Sequence, residues 1–207
     1  MPKKAIIYDL DNTIFPVSAI GDKLFGPLFD LIENSGQHNN DLDAIRYAIM
    51  RTPFRLVASR NNFSDALTRE GIALQETLAY TQPIAPFEDY PETKNIDAER
   101  FLVTTGFDKM QRSKIQHLGI TDDFKEIHVV NPTITNKREV FEDILSRYGY
   151  APDEVIVVGD DPESEIAAAK ALGITTVLYD KDNNFSPKEA DFKINHFADL
   201  KDIYLNS

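Results

Sequence analysis

The sequence predicts an α/β fold, in which a Rossmann-like parallel sheet has helices on both faces and carries an inserted, all-helical domain. Two observations predict the sheet: short apolar runs recur along the chain, and helical patterns that end at a glycine separate the later runs. A third observation predicts the insertion. The long stretch between Asp11 and Arg100 has helical periodicity and contains no comparable apolar run.

Five short apolar runs, each bounded by polar or turn residues, are typical of strands that are buried on both faces. They cover residues 5–8, 101–103, 127–130, 155–158 and 175–179. Helical patterns follow the second, third and fourth runs at residues 109–118, 136–148 and 163–172, and a glycine stands directly after each pattern. Because strands alternate with helices, the sheet is expected to be parallel.

The stretch between the first two runs is expected to be helical, since apolar residues recur at every third or fourth position over residues 20–32, 42–49 and 63–78. Gly26 and Pro27 predict a break in the first of these helices. A plain crossover needs only about a dozen residues, so the extra length predicts a module inserted after the first strand. Its return segment, residues 83–97, is rich in Pro, Glu and Asp and predicts a linker. The expected division is a core of residues 1–16 and 98–207 with an insert of residues 17–97.

The composition excludes several classes of function. The chain has 34 Asp and Glu against 22 Lys and Arg, and its net charge of −12 repels nucleic acid polymers. It has no cysteine, which excludes disulfides, thiolate nucleophiles and cysteine-ligated metals and fits a cytoplasmic location. No apolar run approaches the roughly 18 residues that cross a bilayer, so no membrane partner is expected. The acidic runs at residues 88–89 and 180–182 are expected to be solvated loops.

Carboxylates follow two of the predicted strands. Asp9 and Asp11 come at the end of the first, and Asp160 and Asp161 come after the fourth. Ligands of open parallel sheets bind at the carboxyl ends of strands, and carboxylates that converge there need a cation to offset their repulsion. Mg²⁺ is the expected cation, because it prefers carboxylate oxygens, backbone carbonyls and water. Either cluster alone is typical of an ordinary turn, whereas the two together favour a metal site.

The order of these residues resembles a known family. Asp9-x-Asp11-x-Thr13 after an apolar strand resembles motif I of the haloacid dehalogenase-like (HAD) hydrolase superfamily. The other motifs follow in order, as Thr104 at the end of the second strand, Lys137 at the start of a helix, and a fourth motif of Gly159, Asp160, Asp161 and Glu165. The helical insert resembles the C1 cap of that superfamily. The sequence of residues 9–15, Asp-Leu-Asp-Asn-Thr-Ile-Phe, resembles that of the pyrimidine 5′-nucleotidase-like phosphatases.

This resemblance implies a phosphatase. Asp9 would be the nucleophile that forms an aspartyl-phosphate, and Asp11 would be the general acid and then the general base. Thr104 and Lys137 would stabilise the charge of the transferred phosphoryl group. Lys137 would also keep Asp9 ionised among the neighbouring carboxylates.

The resemblance also implies a Mg²⁺ site. Its ligands would be Asp9, the backbone carbonyl of Asp11, and Asp160. Many relatives have a further Asp five residues after the fourth-motif Asp, whereas this chain has Glu165 there and Asp161 directly after Asp160. Either Asp161 or Glu165 would complete the site, and the sequence leaves both open.

Substrate contacts are expected from two regions. Thr105, which stands where many relatives have Asn, and Gly106 follow the second motif, and Arg55 lies in the insert, which sets specificity in C1-capped relatives. Arg51 and Arg60 flank Arg55 in an otherwise acidic chain. These arginines either meet a second anionic group of the substrate or pair with nearby acids on the helical surface, and both interpretations are open at this point.

Asp11 also separates the possible activities. Members of the superfamily that dehalogenate carbon substrates lack this acid/base aspartate. Its presence here therefore favours hydrolysis of a small phosphomonoester such as a nucleoside monophosphate or a sugar phosphate. A sugar-phosphate mutase shares the same motifs and is an alternative. A non-catalytic binding protein that retains the fold is an alternative of a different class. The chain is expected to be a monomer or a homodimer.

Overall fold

The structure is a computed structural model that describes residues 2–39 and 41–207. Its strands are β1 (Ala5–Tyr8), β2 (Glu99–Thr105), β3 (Glu126–Val130), β4 (Val155–Gly159), β5 (Thr175–Tyr179) and β6 (Phe192–Ile194). They form one parallel sheet in the order β3-β2-β1-β4-β5-β6. The α-helices are α1 (Gly21–Ser35), α2 (Leu42–Ile49), α3 (Phe54–Arg60), α4 (Asp65–Thr77), α5 (Asp108–Leu118), α6 (Lys137–Tyr148), α7 (Ala167–Lys170) and α8 (Ala198–Asn206). The predicted α/β fold is confirmed.

The central strand, β1, explains why the apolar runs are continuous. Ala5 and Ile7 belong to the apolar cluster that contains α6 and α7, and Ile6 and Tyr8 belong to the cluster that contains α5 and α8. Successive side chains of a strand point to opposite faces, so a strand that is covered on both sides needs apolar residues at every position. In the register of β1 with β4, Tyr8 pairs with Val158, and the residues that follow the two strands lie side by side.

Helices α1 to α4 lie between β1 and β2, and the periodicity predicts three of them, α1, α2 and α4, but not α3. Their apolar side chains continue the cluster on the α5 side of the sheet without interruption. The division into two domains at residues 16/17 and 97/98 stays a prediction. The predicted break at Gly26 and Pro27 is wrong, because α1 runs through Pro27. Gly26 has no Cβ to meet the proline ring, and burial of Leu24, Leu28 and Ile32 on one stripe outweighs the lost backbone hydrogen bond.

Residues 83–97, which the sequence predicts to be a linker, pack against β5 and the residues before α8 and are not an exposed linker. The carboxylate of Asp89 is buried, and it accepts hydrogen bonds from the Tyr179 hydroxyl and the Phe197 N–H, both at 3.0 Å. Asp180 is also buried, and it accepts from two backbone N–H groups and from Lys193. The expectation of solvated loops is therefore wrong for these two carboxylates, whose burial is compensated by hydrogen bonds.

No sequence pattern predicts β6 or α8. Strand β6 has three residues, and Phe192 at its start is partly exposed. Helix α8 buries Leu200 alone among its side chains, too little to give a clear apolar stripe. Among the described helices, none is both long enough and apolar enough to cross a membrane.

Candidate active site

A cavity of about 640 Å³ lies at the carboxyl ends of β1, β2 and β4 and is also lined by residues of the insert. Its volume lies in the range of small-molecule sites, which is roughly 300–1,000 Å³. All the residues that the sequence singles out for the site line it, and these are Asp9, Asp11, Arg55, Thr104, Thr105, Gly106, Lys137, Asp160, Asp161 and Glu165. The fold therefore brings together residues from five separate segments of the chain.

Asp9 is fixed from two sides. Its backbone N–H donates to the Val158 carbonyl at 2.9 Å, which continues the pairing of β1 with β4. Its side-chain Oδ1 accepts a hydrogen bond from Lys137 Nζ at 2.7 Å, and the same ammonium donates to Glu165 Oε2 at 2.7 Å. All three side chains are buried. Lys137 is placed by the first turn of α6, whose N-cap is Asn136.

Three carboxylates converge in this site. Oxygen atoms of Asp9, Asp160 and Glu165 lie within 4.8 Å of one another, the one such group of possible metal ligands in the part of the chain that the structure describes. Burial raises the pKa of Asp9 to about 7; Lys137 opposes this rise and Glu165 adds to it. Burial, Glu165 and Asp9 raise the pKa of Asp160 well above its usual range. The cluster thus carries more negative charge than its lysine neutralises.

Lys137 stays charged despite its burial. Burial alone would lower the pKa of this ammonium, but the carboxylates of Asp9 and Glu165 outweigh that effect and raise it. A lysine that remains an ammonium can hold both carboxylates and still present a positive charge to the cavity.

Glu165 reaches the site through a special piece of backbone. It lies in a π-helical turn, Pro162–Ile166, of a kind that occurs often at functional sites. A Cβ on Gly159 would come 2.1 Å from Glu165 Oε1, so only glycine leaves room for this carboxylate. The carboxylate of Asp161 instead accepts from the Glu163 N–H at 2.8 Å. Of the two candidates that the sequence leaves open, the structure groups Glu165, and not Asp161, with the other carboxylates.

The loop after β1 turns sharply at Asn12, whose φ of 58° is left-handed. Asparagine is one of the few residues that tolerate this conformation. Its Oδ1 accepts from the Val17 N–H at 3.2 Å, and its Nδ2 donates to the Met50 carbonyl at 3.4 Å. Asn12 therefore joins the motif-bearing loop to the insert, directly beside Asp11.

Sequence reasoning missed two buried residues of α5. Lys114 Nζ lies 2.7 Å from both carboxylate oxygens of Asp11, and Gln111 Nε2 lies 3.0 Å from Asp11 Oδ2 and 2.6 Å from Thr104 Oγ1. Both side chains are almost fully buried. A signal for them exists, because Gln111, Lys114 and Leu118 share one helix face, and polar residues on a buried face need partners.

The position of Gln111 also explains why residue 106 is a glycine. The amide Nε2 lies 3.0 Å from the Thr105 carbonyl, and a Cβ on Gly106 would come 2.8 Å from Gln111 Cγ. The φ of Gly106, 154°, is also unfavourable for other residues. Gly106 thus allows Gln111 to approach the end of β2.

Arg51, between α2 and α3, reaches the residues that follow β4, where its Nη2 lies 3.2 Å from Asp160 Oδ2. Arg55 and Arg60 line the same cavity. Among the described residues, no carboxylate lies within 4.0 Å of the guanidinium of Arg55 or Arg60. The interpretation that these arginines pair with acids on the surface of the insert is therefore wrong.

The chain is similar to known proteins along nearly its whole length. Two curated relatives align along almost their whole length: the ribulose-1,5-bisphosphate 5-phosphatase of Halopiger xanaduensis (24% identical, 96% of this chain and 98% of that protein) and the glyceraldehyde 3-phosphate phosphatase of Methanopyrus kandleri (22%, 97% and 96%). The magnesium-bound HAD-hydrolase YfnB of Bacillus subtilis has a similar fold, with a TM-score of 0.65 at 17% identity over 100% of both chains. Residues 6–179 match the family model described as haloacid dehalogenase-like hydrolase. The chain belongs to the haloacid dehalogenase-like hydrolase family.

Proposed function

We propose that the chain is a Mg²⁺-dependent phosphatase that hydrolyses small phosphomonoesters through an aspartyl-phosphate on Asp9. The observation that carries this proposal is the cluster at the wall of one cavity in which Asp9, Asp160 and Glu165 converge and Lys137 bridges Asp9 and Glu165. The relatives support the phosphatase class, since both are named for the removal of phosphate from a small sugar phosphate. The nucleotidase-like subgroup and the division into cap and core stay predictions.

Asp9 has the arrangement that a nucleophile needs. Lys137 holds Oδ1, whereas Oδ2 accepts no hydrogen bond from any described residue. In the first step, Oδ2 forms a bond to phosphorus as the bond from phosphorus to the leaving oxygen breaks. Asp11 supplies a proton to that oxygen, then takes a proton from the water that attacks the aspartyl-phosphate. The second attack breaks the bond from phosphorus to Asp9 and releases phosphate.

Thr104 and Lys137 would stabilise the transferred group. Thr104 Oγ1 accepts from Gln111 Nε2, which leaves its own O–H free to donate to a phosphoryl oxygen. The ammonium of Lys137 provides a positive charge beside the nucleophile. Donors that are already fixed before the reaction stabilise the transition state most effectively.

The residues present fit Mg²⁺. Three carboxylates lie close together and partly buried, and burial together with the neighbouring carboxylates raises the pKa values of Asp9 and Asp160, which a further cation at this point would oppose. We propose that Asp9, Asp160 and the Asp11 backbone carbonyl hold the ion and that Glu165, not Asp161, supports the site. A bound Mg²⁺ would neutralise charge on the carboxylates and on the phosphoryl oxygens.

The proposed activity predicts Mg²⁺-dependent release of inorganic phosphate. We expect turnover of 4-nitrophenyl phosphate and of some members of a panel of sugar phosphates and nucleoside monophosphates, and we expect EDTA to abolish it. Phosphate release is the measurement. Isomerisation of glucose 1-phosphate without phosphate release would favour the mutase alternative. No turnover of any compound with any divalent metal would favour the non-catalytic alternative.

Arg51 is expected to compete with the metal ion. Because its guanidinium contacts Asp160, Arg51→Ala should strengthen Mg²⁺ binding about two- to fivefold, the range of a partly exposed ion pair. Calorimetric titration of the substrate-free protein with Mg²⁺ measures this directly. The matched control is Arg46→Ala, which removes an arginine that pairs with Glu33 outside the cavity. Weaker Mg²⁺ binding by Arg51→Ala than by wild type would contradict the prediction.

A further inference from the structure

Helix α3 supplies two unpaired cations to the cavity. Four basic side chains line it, and two of them, Lys137 and Arg51, are engaged with carboxylates. Arg55 and Arg60 have no carboxylate within 4.0 Å and make no hydrogen bond to any described residue. Both arginines are exposed, so their guanidinium groups are open to an anion that enters the cavity of the nucleophile.

The arginines that lie outside the cavity mostly have partners within the chain, as in the pairs of Arg112 with Asp108, Arg138 with Glu142 and Arg147 with Asp143. Unpaired guanidinium groups on a cavity wall are suited to bind an anion that arrives with the substrate.

The reacting phosphate does not account for Arg55 and Arg60. That group must meet Asp9, and the residues beside Asp9 already provide Thr104, Lys137 and the proposed metal site for it. The cavity is also larger than one phosphate requires, and apolar side chains such as Phe25, Ile49 and Ile72 complete its lining. Such a cavity suits an organic molecule with one anionic group at Asp9 and another at α3.

We infer that the substrate carries a second phosphate group, which Arg55 and Arg60 bind. This inference rests on the proposed phosphatase function and deepens it to a small organic bisphosphate. Two guanidinium groups match the charge of a phosphate dianion, and the planar fork of arginine binds phosphate oxygens in pairs.

The test compares substrates that differ by one phosphate. Fructose 1,6-bisphosphate and ribulose 1,5-bisphosphate are compared with fructose 6-phosphate, ribulose 5-phosphate and 4-nitrophenyl phosphate. Wild type should show a kcat/KM at least about tenfold higher for at least one bisphosphate than for its monophosphate. Arg55→Ala and Arg60→Ala should each lower the ratio of bisphosphate to monophosphate kcat/KM about 10- to 100-fold, mostly through KM, as expected for a charged hydrogen bond.

Matched variants separate binding from folding. Arg69→Ala removes an exposed arginine of α4 that lies outside the cavity, and it should leave the ratio unchanged. Arg55→Lys should restore part of the ratio, because it keeps the charge but loses the fork.

The outcomes distinguish this inference from the proposed function. If wild type hydrolyses the monophosphates but shows no preference for a bisphosphate, or if the arginine variants do not change that preference, the inference is overturned and the phosphatase stands. If wild type prefers 3-phosphoglycerate over glycerol 3-phosphate but no bisphosphate over its monophosphate, the second group is a carboxylate, and the inference of a second phosphate is overturned. If no compound is hydrolysed, the proposed function itself fails.

Discussion

Replacement of Asp9 by asparagine is expected to lower phosphate release about 1,000-fold or more, the size of effect seen when a nucleophile is removed. An amide has no charge to attack phosphorus, and Lys137 would no longer face a carboxylate at Oδ1. Steady-state turnover of 4-nitrophenyl phosphate in saturating Mg²⁺ measures the loss. A variant that keeps more than about a tenth of the wild-type rate would exclude Asp9 as the nucleophile.

The matched control is Asp11→Asn, which should fail at a different step. 4-Nitrophenolate leaves without help from an acid, so Asp9 can still be phosphorylated, whereas activation of water is lost. We expect a burst of 4-nitrophenolate close to one equivalent, followed by slow turnover, and a phosphoryl group retained on Asp9 in the intact-mass spectrum. Asp9→Asn should show neither the burst nor the added mass.

Asp9→Asn should also change how stability depends on pH in Mg²⁺-free buffer. The pKa of Asp9 is about 4 in the unfolded protein and is raised to about 7 in the folded protein. Between these pH values, the folded state therefore keeps a proton that the unfolded state has lost. The stabilisation from that proton is complete below the unfolded pKa and is lost as the pH rises through about 7. Wild type should therefore lose unfolding free energy between these pH values, and Asp9→Asn should lose less, which urea titrations at several pH values will measure.

Removal of the Lys137 ammonium is expected to have the largest effect on stability. Lys137→Met leaves Asp9 and Glu165 buried without their cation, and loss of one partner of a buried ion pair costs about 3–5 kcal/mol. The loss should be largest at pH 8 without Mg²⁺ and smaller at pH 5, where Asp9 takes up a proton. Turnover should fall about 100- to 1,000-fold, as for other preorganised donors. Urea unfolding and steady-state kinetics measure the two effects.

Two further variants test the cause of the Lys137 effect. Arg138→Met removes the neighbouring cation, whose partner Glu142 is exposed, and should cost less than about 0.5 kcal/mol. Lys137→Met combined with Glu165→Gln removes a cation and an anion together and should recover part of the lost stability, a coupling that a double-mutant cycle quantifies. If the double variant is no more stable than Lys137→Met alone, the loss comes from packing and not from the unpaired charge.

The strands of the sheet were predictable because each one is marked by a pattern of neighbouring residues in the sequence. Strands β1, β2, β4 and β5 are largely buried and β3, at the edge of the sheet, is half-buried, so each of the five is visible as an apolar run, and the predicted runs lie within the observed strands. Strand β6 and helix α8 lie at the end of the sheet and bury little, so no periodic pattern marks them. At Pro27 the sequence predicts a break that does not occur. The proline is a local helix-breaking signal, but burial of the apolar stripe on either side of it keeps α1 continuous.

In the candidate site, only the residues that directly follow a strand or begin a helix were predictable from the sequence. Asp9, Asp160 and Lys137 occupy such positions, and the sheet register brings them together. The partners Lys114 and Asp11 lie on segments far apart in sequence, and so do Arg51 and Asp160. Such pairs depend on how α5 and the insert pack on the sheet, which no pattern along the chain specifies.

The central position of β1 governs the order in which the molecule can be made. Ala5 pairs with Glu99 on one side and with Val155 on the other, so the strand that leads to Asp9 emerges first from the ribosome and waits for both neighbours. Helices α1 to α4 have their own contacts nearer in sequence and can form in the meantime. Until β4 has been synthesised, β1 lacks its neighbour on that side, and this exposed edge of the strand needs protection from aggregation. Phosphate release needs Asp160 and Glu165, which follow β4, so it reports that synthesis and folding have both gone past Glu165.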